Sequence, residues 1–157
     1  MKDNKTNLFF TIIGAGLFVG FLDGLAAIIQ TLVNGGNPEK VFQFIASGVF
    51  GTPAFSGGIA TVIYGIFFHL AIALIWTLIF FVIYRNLKAL SKSIVLTGTL
   101  YGILVWAVMT RLVLPLSNAP AIPFAWRGAV ISILILIAAV GLPLSFLAHR
   151  YYVPNSK

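Results

Sequence analysis

The chain has 157 residues, of which 60% are hydrophobic and only 8% charged, and a mean hydropathy of +1.05. A soluble domain carries about a quarter charged residues, and a chain this short encloses too little interior to hide so much apolar surface from water, so lipid is the solvent its composition fits. Ten Lys and Arg against three acidic residues give a net charge of +7, and there is no cysteine. The latter excludes disulfides, iron–sulfur clusters and thiol catalysis. The basic residues stand beside apolar segments, which reads as topology and contact with anionic headgroups; no nucleic-acid partner is expected.

The first apolar segment, TM1, is predicted over residues 8–33. Lys2 and Lys5 precede it, as in a signal peptide, but it is longer than a signal h-region, contains Asp23 and lacks a convincing cleavage site. A retained spanning helix is expected. Asn34-Gly35-Gly36 stops it. Asn37-Pro38-Glu39 then carries a helix-start signature, with Asn as N-cap, Pro at the first helical position and Glu in the first turn. The helix predicted over 38–50 is too short to span. It is largely apolar with a polar stripe of Gln43 and Ser47, which suits an interfacial or re-entrant element.

TM2 is predicted over 59–84 and contains His69. Arg85, Lys88 and Lys92 mark a short basic loop, and TM3 follows over 94–114. Pro115, Pro120 and Pro123 prevent a regular helix from continuing. TM4 is predicted over 126–148, with a kink at Pro143, and His149-Arg150-Tyr151-Tyr152 closes it at an interface. The fold expected is an all-α integral membrane protein: four transmembrane helices plus one short interfacial or re-entrant helix, in a single membrane domain over 1–157. Lys and Arg concentrate on the side of the two termini and the residue 85–92 loop, which places both termini in the cytoplasm.

Asp23 is the most informative residue, because a carboxylate within an apolar helix costs several kcal/mol, at about 3 in insertion scales, unless it is paired, hydrated or protonated. It lies about ten residues, roughly 15 Å, from the outer end of TM1, and His69 lies at a similar depth in antiparallel TM2. An Asp23–His69 pair facing the bundle interior is expected. It serves either as a proton-linked or ligand-binding site, or as a structural hydrogen-bonding element that locks helices together. His69 also admits a reading as a haem ligand, although His149, the second histidine, falls at a different depth. No metal cluster has the required spacing, and no cofactor is assigned. Arg111 and Arg127 should reach the outer interface as headgroup anchors or as cationic groups at a cavity mouth, near Asp23 or Glu39. Gly16, Gly20 and Gly24 lie four apart on TM1, as do Gly98 and Gly102 on TM3. Such small-residue stripes permit close helix approach, and TM1 against TM3 is the economical pairing; a dimer is the other use of the stripe.

The stretch from His69 through Pro120, with part of the first helix, resembles the YagU-like family of small uncharacterised bacterial inner-membrane proteins. The resemblance rests on Gly14-Ala15-Gly16 to Asp23-Gly24, Phe68-His69-Leu70-Ala71-Ile72-Ala73, Gly98-Thr99-Leu100-Tyr101-Gly102 and Leu114-Pro115-Leu116-Ser117. It covers about two-thirds of the chain, which departs from the pattern in its shorter first outer loop and short tails. It implies a bacterial inner-membrane protein and supplies no catalytic residue. No phosphate loop, nucleophile elbow or paired catalytic carboxylates are present. The function expected is non-enzymatic: an accessory subunit, or an oligomeric protein that binds or transports a small solute. Its partners would be the bilayer, further copies of the chain or a larger membrane complex. A haem- or redox-associated subunit using His69 is the alternative.

Overall fold

A computed structural model describes residues 3–86 and 92–153, with side chains from Asn7 onward; Lys2, Lys88 and Lys157 lie outside it. Among the described residues the chain forms five helices: α1 (Asp3–Val33), α2 (Glu39–Phe50), α3 (Gly58–Asn86), α4 (Ile94–Leu116) and α5 (Trp126–Tyr152). α1, α3, α4 and α5 are long and apolar enough to cross a bilayer, and no more than 28% of the most apolar stretch of any of them is buried within the molecule. Phe9, Phe10, Phe18, Phe21, Ile63 and Phe67 are among the large side chains left exposed. Hydrocarbon is the solvent that accepts them. This is an all-α multi-pass membrane protein, as expected, with each span running two to five residues beyond at least one predicted end.

The four spans alternate in direction and pack as two tight pairs. α1 lies along α3: a Cβ on Gly16, Gly20 or Gly24 would stand 2.6 Å from Leu74, 3.0 Å from Ala73 or 3.2 Å from His69. α4 lies along α5: a Cβ on Gly98 would meet the Gly141 carbonyl at 2.8 Å, and one on Gly102 would meet the Ile137 backbone at 2.7 Å. The pairing expected between TM1 and TM3 is therefore corrected. Both glycine stripes bring helices close, but each faces the next span in the chain, antiparallel to it.

Prolines shape α4 and α5. In each, one π-helical turn, Met109–Val113 or Ile137–Gly141, ends two residues before a proline, Pro115 or Pro143. A proline cannot donate to the carbonyl four residues back, and its ring crowds that carbonyl; a wider turn directly upstream re-registers the ladder and lets the helix run on. The single kink expected at Pro143 is thus a π turn, and α4 carries another.

α2 begins as its sequence promised, with the Asn37 side-chain oxygen accepting the Glu39 N–H at 2.9 Å. Gly51, at φ +69°, ends it, its N–H donating to the Ser47 carbonyl. Twelve residues reach about 18 Å, too short to span. The helix lies across the first third of α3, so close that a Cβ on Gly65 would collide with the Phe42 carbonyl. Its polar stripe faces inward, with Gln43 and Ser47 buried, while Val49 and Phe50 are 54% and 44% exposed. In water that arrangement would be inside out. It suits a helix whose Val49–Phe50 end meets an apolar medium, while Glu39 and Lys40 at its start are exposed.

Packing differs between the two ends of the bundle. Toward the end where α1 begins and α5 finishes, Phe80, Phe81, Tyr84, Tyr101, Leu144 and Ala148 fill the centre with an almost solid core. Toward the end that carries α2, the two helix pairs separate and leave a cavity.

Candidate functional site

The cavity is half open, has a volume of about 540 Å³ and receives side chains from all five helices. Its floor is the top of the aromatic core. The Trp76 indole N–H donates to the Met109 sulfur at 3.4 Å across the gap between α3 and α4, and the Tyr101 hydroxyl donates to the Trp76 carbonyl at 2.5 Å. Its roof is α2 joined to the segment that follows α4. The Asn118 backbone N–H donates to the Gly48 carbonyl at 3.0 Å, and the Asn118 side-chain amide donates to the Val49 carbonyl at 3.1 Å. Those carbonyls belong to the last turn of α2 and have no partner within the helix. One residue beyond α4 thus ties the roof shut.

The walls are mainly aliphatic and aromatic, with Asp23, Gln30, His69, Ser117 and Ser132 as the hydrogen-bonding side chains beside Trp76. Asp23, Ala27 and Gln30 stand one helical turn apart and form the face of α1 turned to the cavity, adjacent to the glycine face that touches α3. His69 crosses from α3 to α1. Its Nε2–H donates to the Gly20 carbonyl at 2.8 Å, which fixes a proton on Nε2, and the Phe42 ring meets the imidazole edge-on at 6.3 Å. Asp23 Oδ2 lies 4.0 Å from the same nitrogen, within electrostatic reach and beyond hydrogen-bond distance. Among the described residues no hydrogen bond reaches the Asp23 carboxyl group. Both side chains are largely covered, at 25% exposure for Asp23 and 14% for His69.

The pairing at matched depth is therefore present, in a looser form than direct contact. The arginines stand elsewhere. The Arg111 guanidinium lies 5.3 Å over the Phe124 ring, on the exposed side of the α4 π turn, and Arg127 is exposed at the start of α5. Neither lines the cavity, and the pairing considered for them with Asp23 or Glu39 does not occur among the described residues. His149 shares a 3.0 Å hydrogen bond with the Tyr84 hydroxyl at the far end of the bundle. Among the described residues no group of three or more His, Asp or Glu is arranged to hold a metal ion.

Comparison with family models, with curated proteins and with solved structures finds no match to the chain. Its site is read from geometry alone. Gln30, Trp76, Met109, Ser117 and Ser132 were not anticipated as lining residues. For Gln30 the signal existed, since it stands seven residues after Asp23 on one helical face. For the others it did not, because their places depend on how the two pairs splay.

Proposed function

We propose that the protein binds a small solute in this cavity and serves as a solute-binding or transport protein of a bacterial inner membrane, alone, as a homo-oligomer or as an accessory subunit of a larger membrane complex. The observation that carries this reading is the contrast within one bundle: a solid core in one half, and in the other a cavity of ligand size with a carboxyl group and an imidazole on its wall. A scaffold with no cargo gains nothing from that void, because empty volume forfeits dispersion contacts on every side. The Asn118 tie closes the roof from the α4 side with two hydrogen bonds, while α2 itself stays packed on α3. The YagU-like resemblance agrees with the inner-membrane placement, and the basic bias agrees with cytoplasmic termini, which puts the roof toward the exterior.

The haem reading of His69 has less support. Its Nε2–H is committed to the Gly20 carbonyl, and that nitrogen cannot ligate iron at the same time. An enzymatic reading lacks a nucleophile beside a base.

Native mass spectrometry in mild detergent tests the proposal. The purified protein is expected to retain a small molecule. Ala27→Phe and Ser132→Phe, which fill the cavity from α1 and from α5, are expected to lose it while remaining folded. Wild type and filled variants that carry the same adduct would remove the cavity from consideration.

A further inference from the structure

Every titratable side chain on the cavity wall belongs to two residues. Asp23 comes from α1 and His69 from α3, while α2, α4 and α5 contribute none. No lysine or arginine lines the cavity, although the chain as a whole carries seven more positive than negative charges. The two wall arginines considered from the sequence turn away, one of them onto Phe124. Among the described residues the cavity therefore carries one carboxyl group and one imidazole and no lysine or arginine, in a chain of net charge +7.

The His69 geometry sharpens the point. Its Nε2–H already serves the Gly20 carbonyl, so the imidazole stands beside Asp23 without satisfying it. The carboxyl group, without a hydrogen bond among the described residues, lines a largely apolar cavity whose other hydrogen-bonding side chains include Gln30, Ser117 and Ser132. An anion placed there would face a carboxylate. A neutral hydrocarbon would seal an unpaired carboxyl group in a low-dielectric site, the arrangement that costs most. A cation satisfies the carboxylate, and Phe68 and Trp76 supply aromatic faces that favour the same charge.

We propose that the cavity takes an amphipathic organic cation, its ammonium-type head beside Asp23 and its apolar body between Phe68 and Trp76. The assignment rests on the reading of the cavity as a solute site and names the chemical class of that solute. Gln30 and Ser132 can accept hydrogen bonds from a primary, secondary or tertiary ammonium head, whereas a quaternary head would be held by the charge of Asp23 alone. The apolar lining rejects small hydrated cations such as Na⁺, which would lose their water with too few oxygens to replace it.

The test uses three probes of similar size with the full-length protein in neutral detergent: benzyltrimethylammonium, its uncharged carbon isostere neopentylbenzene, and benzenesulfonate. Binding is read by calorimetry and by change in tryptophan fluorescence. Benzyltrimethylammonium is expected to bind at least about tenfold more tightly than neopentylbenzene, the preference that a charge partner in a low-dielectric site provides. Benzenesulfonate is expected not to bind. Asp23→Asn is expected to bring the cation and the isostere within about twofold of each other. Ala27→Phe, which keeps Asp23 and fills the cavity, is expected to abolish binding of both, and stands as the second variant should Asp23→Asn not fold. Equal affinity for cation and isostere, or a cation preference that survives Asp23→Asn, overturns the cation assignment and leaves the cavity a solute site. Binding of none of the three to folded wild-type protein overturns the cation assignment too, and if native mass spectrometry also finds no retained molecule, the solute-site reading falls with it.

Discussion

Asp23 separates two roles by the sign of a stability change. A carboxyl group that locks helices by hydrogen bonding stabilises the fold, and its removal costs stability. A carboxyl group held open for a ligand is an expense to the empty protein. With no hydrogen bond to Asp23 among the described residues, the proposed ligand role predicts the second. Asp23→Leu is expected to leave the ligand-free protein as stable as wild type or more so, by about 1 kcal/mol, in reversible SDS unfolding. A loss of more than about 1 kcal/mol would show a structural hydrogen-bonding role instead. His69→Leu is expected to cost about 0.5–1.5 kcal/mol in the same assay, because it deletes the bond to Gly20 across the α1–α3 seam. The sequence made the meeting of these residues legible, because depth in an antiparallel pair follows from counting along each helix. It did not reveal that the imidazole chooses a backbone carbonyl over the carboxylate. That choice turns on the missing side chain at Gly24, where a Cβ would stand 3.2 Å from the imidazole Nε2, and on fractions of an ångström.

At the scale of elements, the glycine stripes announced close approach and withheld the partner. Spacing specifies which face of a helix is narrow, and any neighbouring helix can use it. Two of the tightest approaches fell outside the stripes. Gly65 receives the α2 backbone and Gly141 receives α4, each as an isolated glycine in its own helix. Gly65→Ala and Gly141→Ala, whose new methyl groups would overlap a backbone carbonyl, are expected to destabilise the protein by about 1–3 kcal/mol. Gly14→Ala and Gly128→Ala meet nothing within 4 Å and are expected to be neutral or to stabilise by about 0.5–1 kcal/mol. Thermal or SDS unfolding of the four variants checks the contrast; four equal effects would contradict the packing described. The π turns were also unread, yet their cause is local. A proline two residues beyond each turn is visible in the sequence, whereas the way each helix accommodates it depends on the carbonyls upstream.

At the scale of the molecule, the number and order of spans were legible because runs of apolar residues have no other use at this length. The splaying of the two pairs was not, since it depends on long-range packing such as the contact of Trp76 with Met109 across the gap. Reporter fusions at the C-terminus and near residue 90 are expected to be active in the cytoplasm, and one near residue 118 outside. Cysteines introduced at 37 and 52 should label from the same side, as α2 enters and leaves at one face; labelling from opposite sides would make α2 a fifth crossing. The inverted surface of α2 carries a consequence for how the chain is made. Residues 39–50 emerge during synthesis before α3 exists, and in that interval Gln43 and Ser47 have no interior to face. Hydrocarbon would receive them unpaired, while water would receive Phe42, Val49 and Phe50. Neither phase suits the segment alone, so α2 is expected to settle only once α3 presents Gly65 against the Phe42 backbone, the two helices then forming a hairpin about the turn at Gly51.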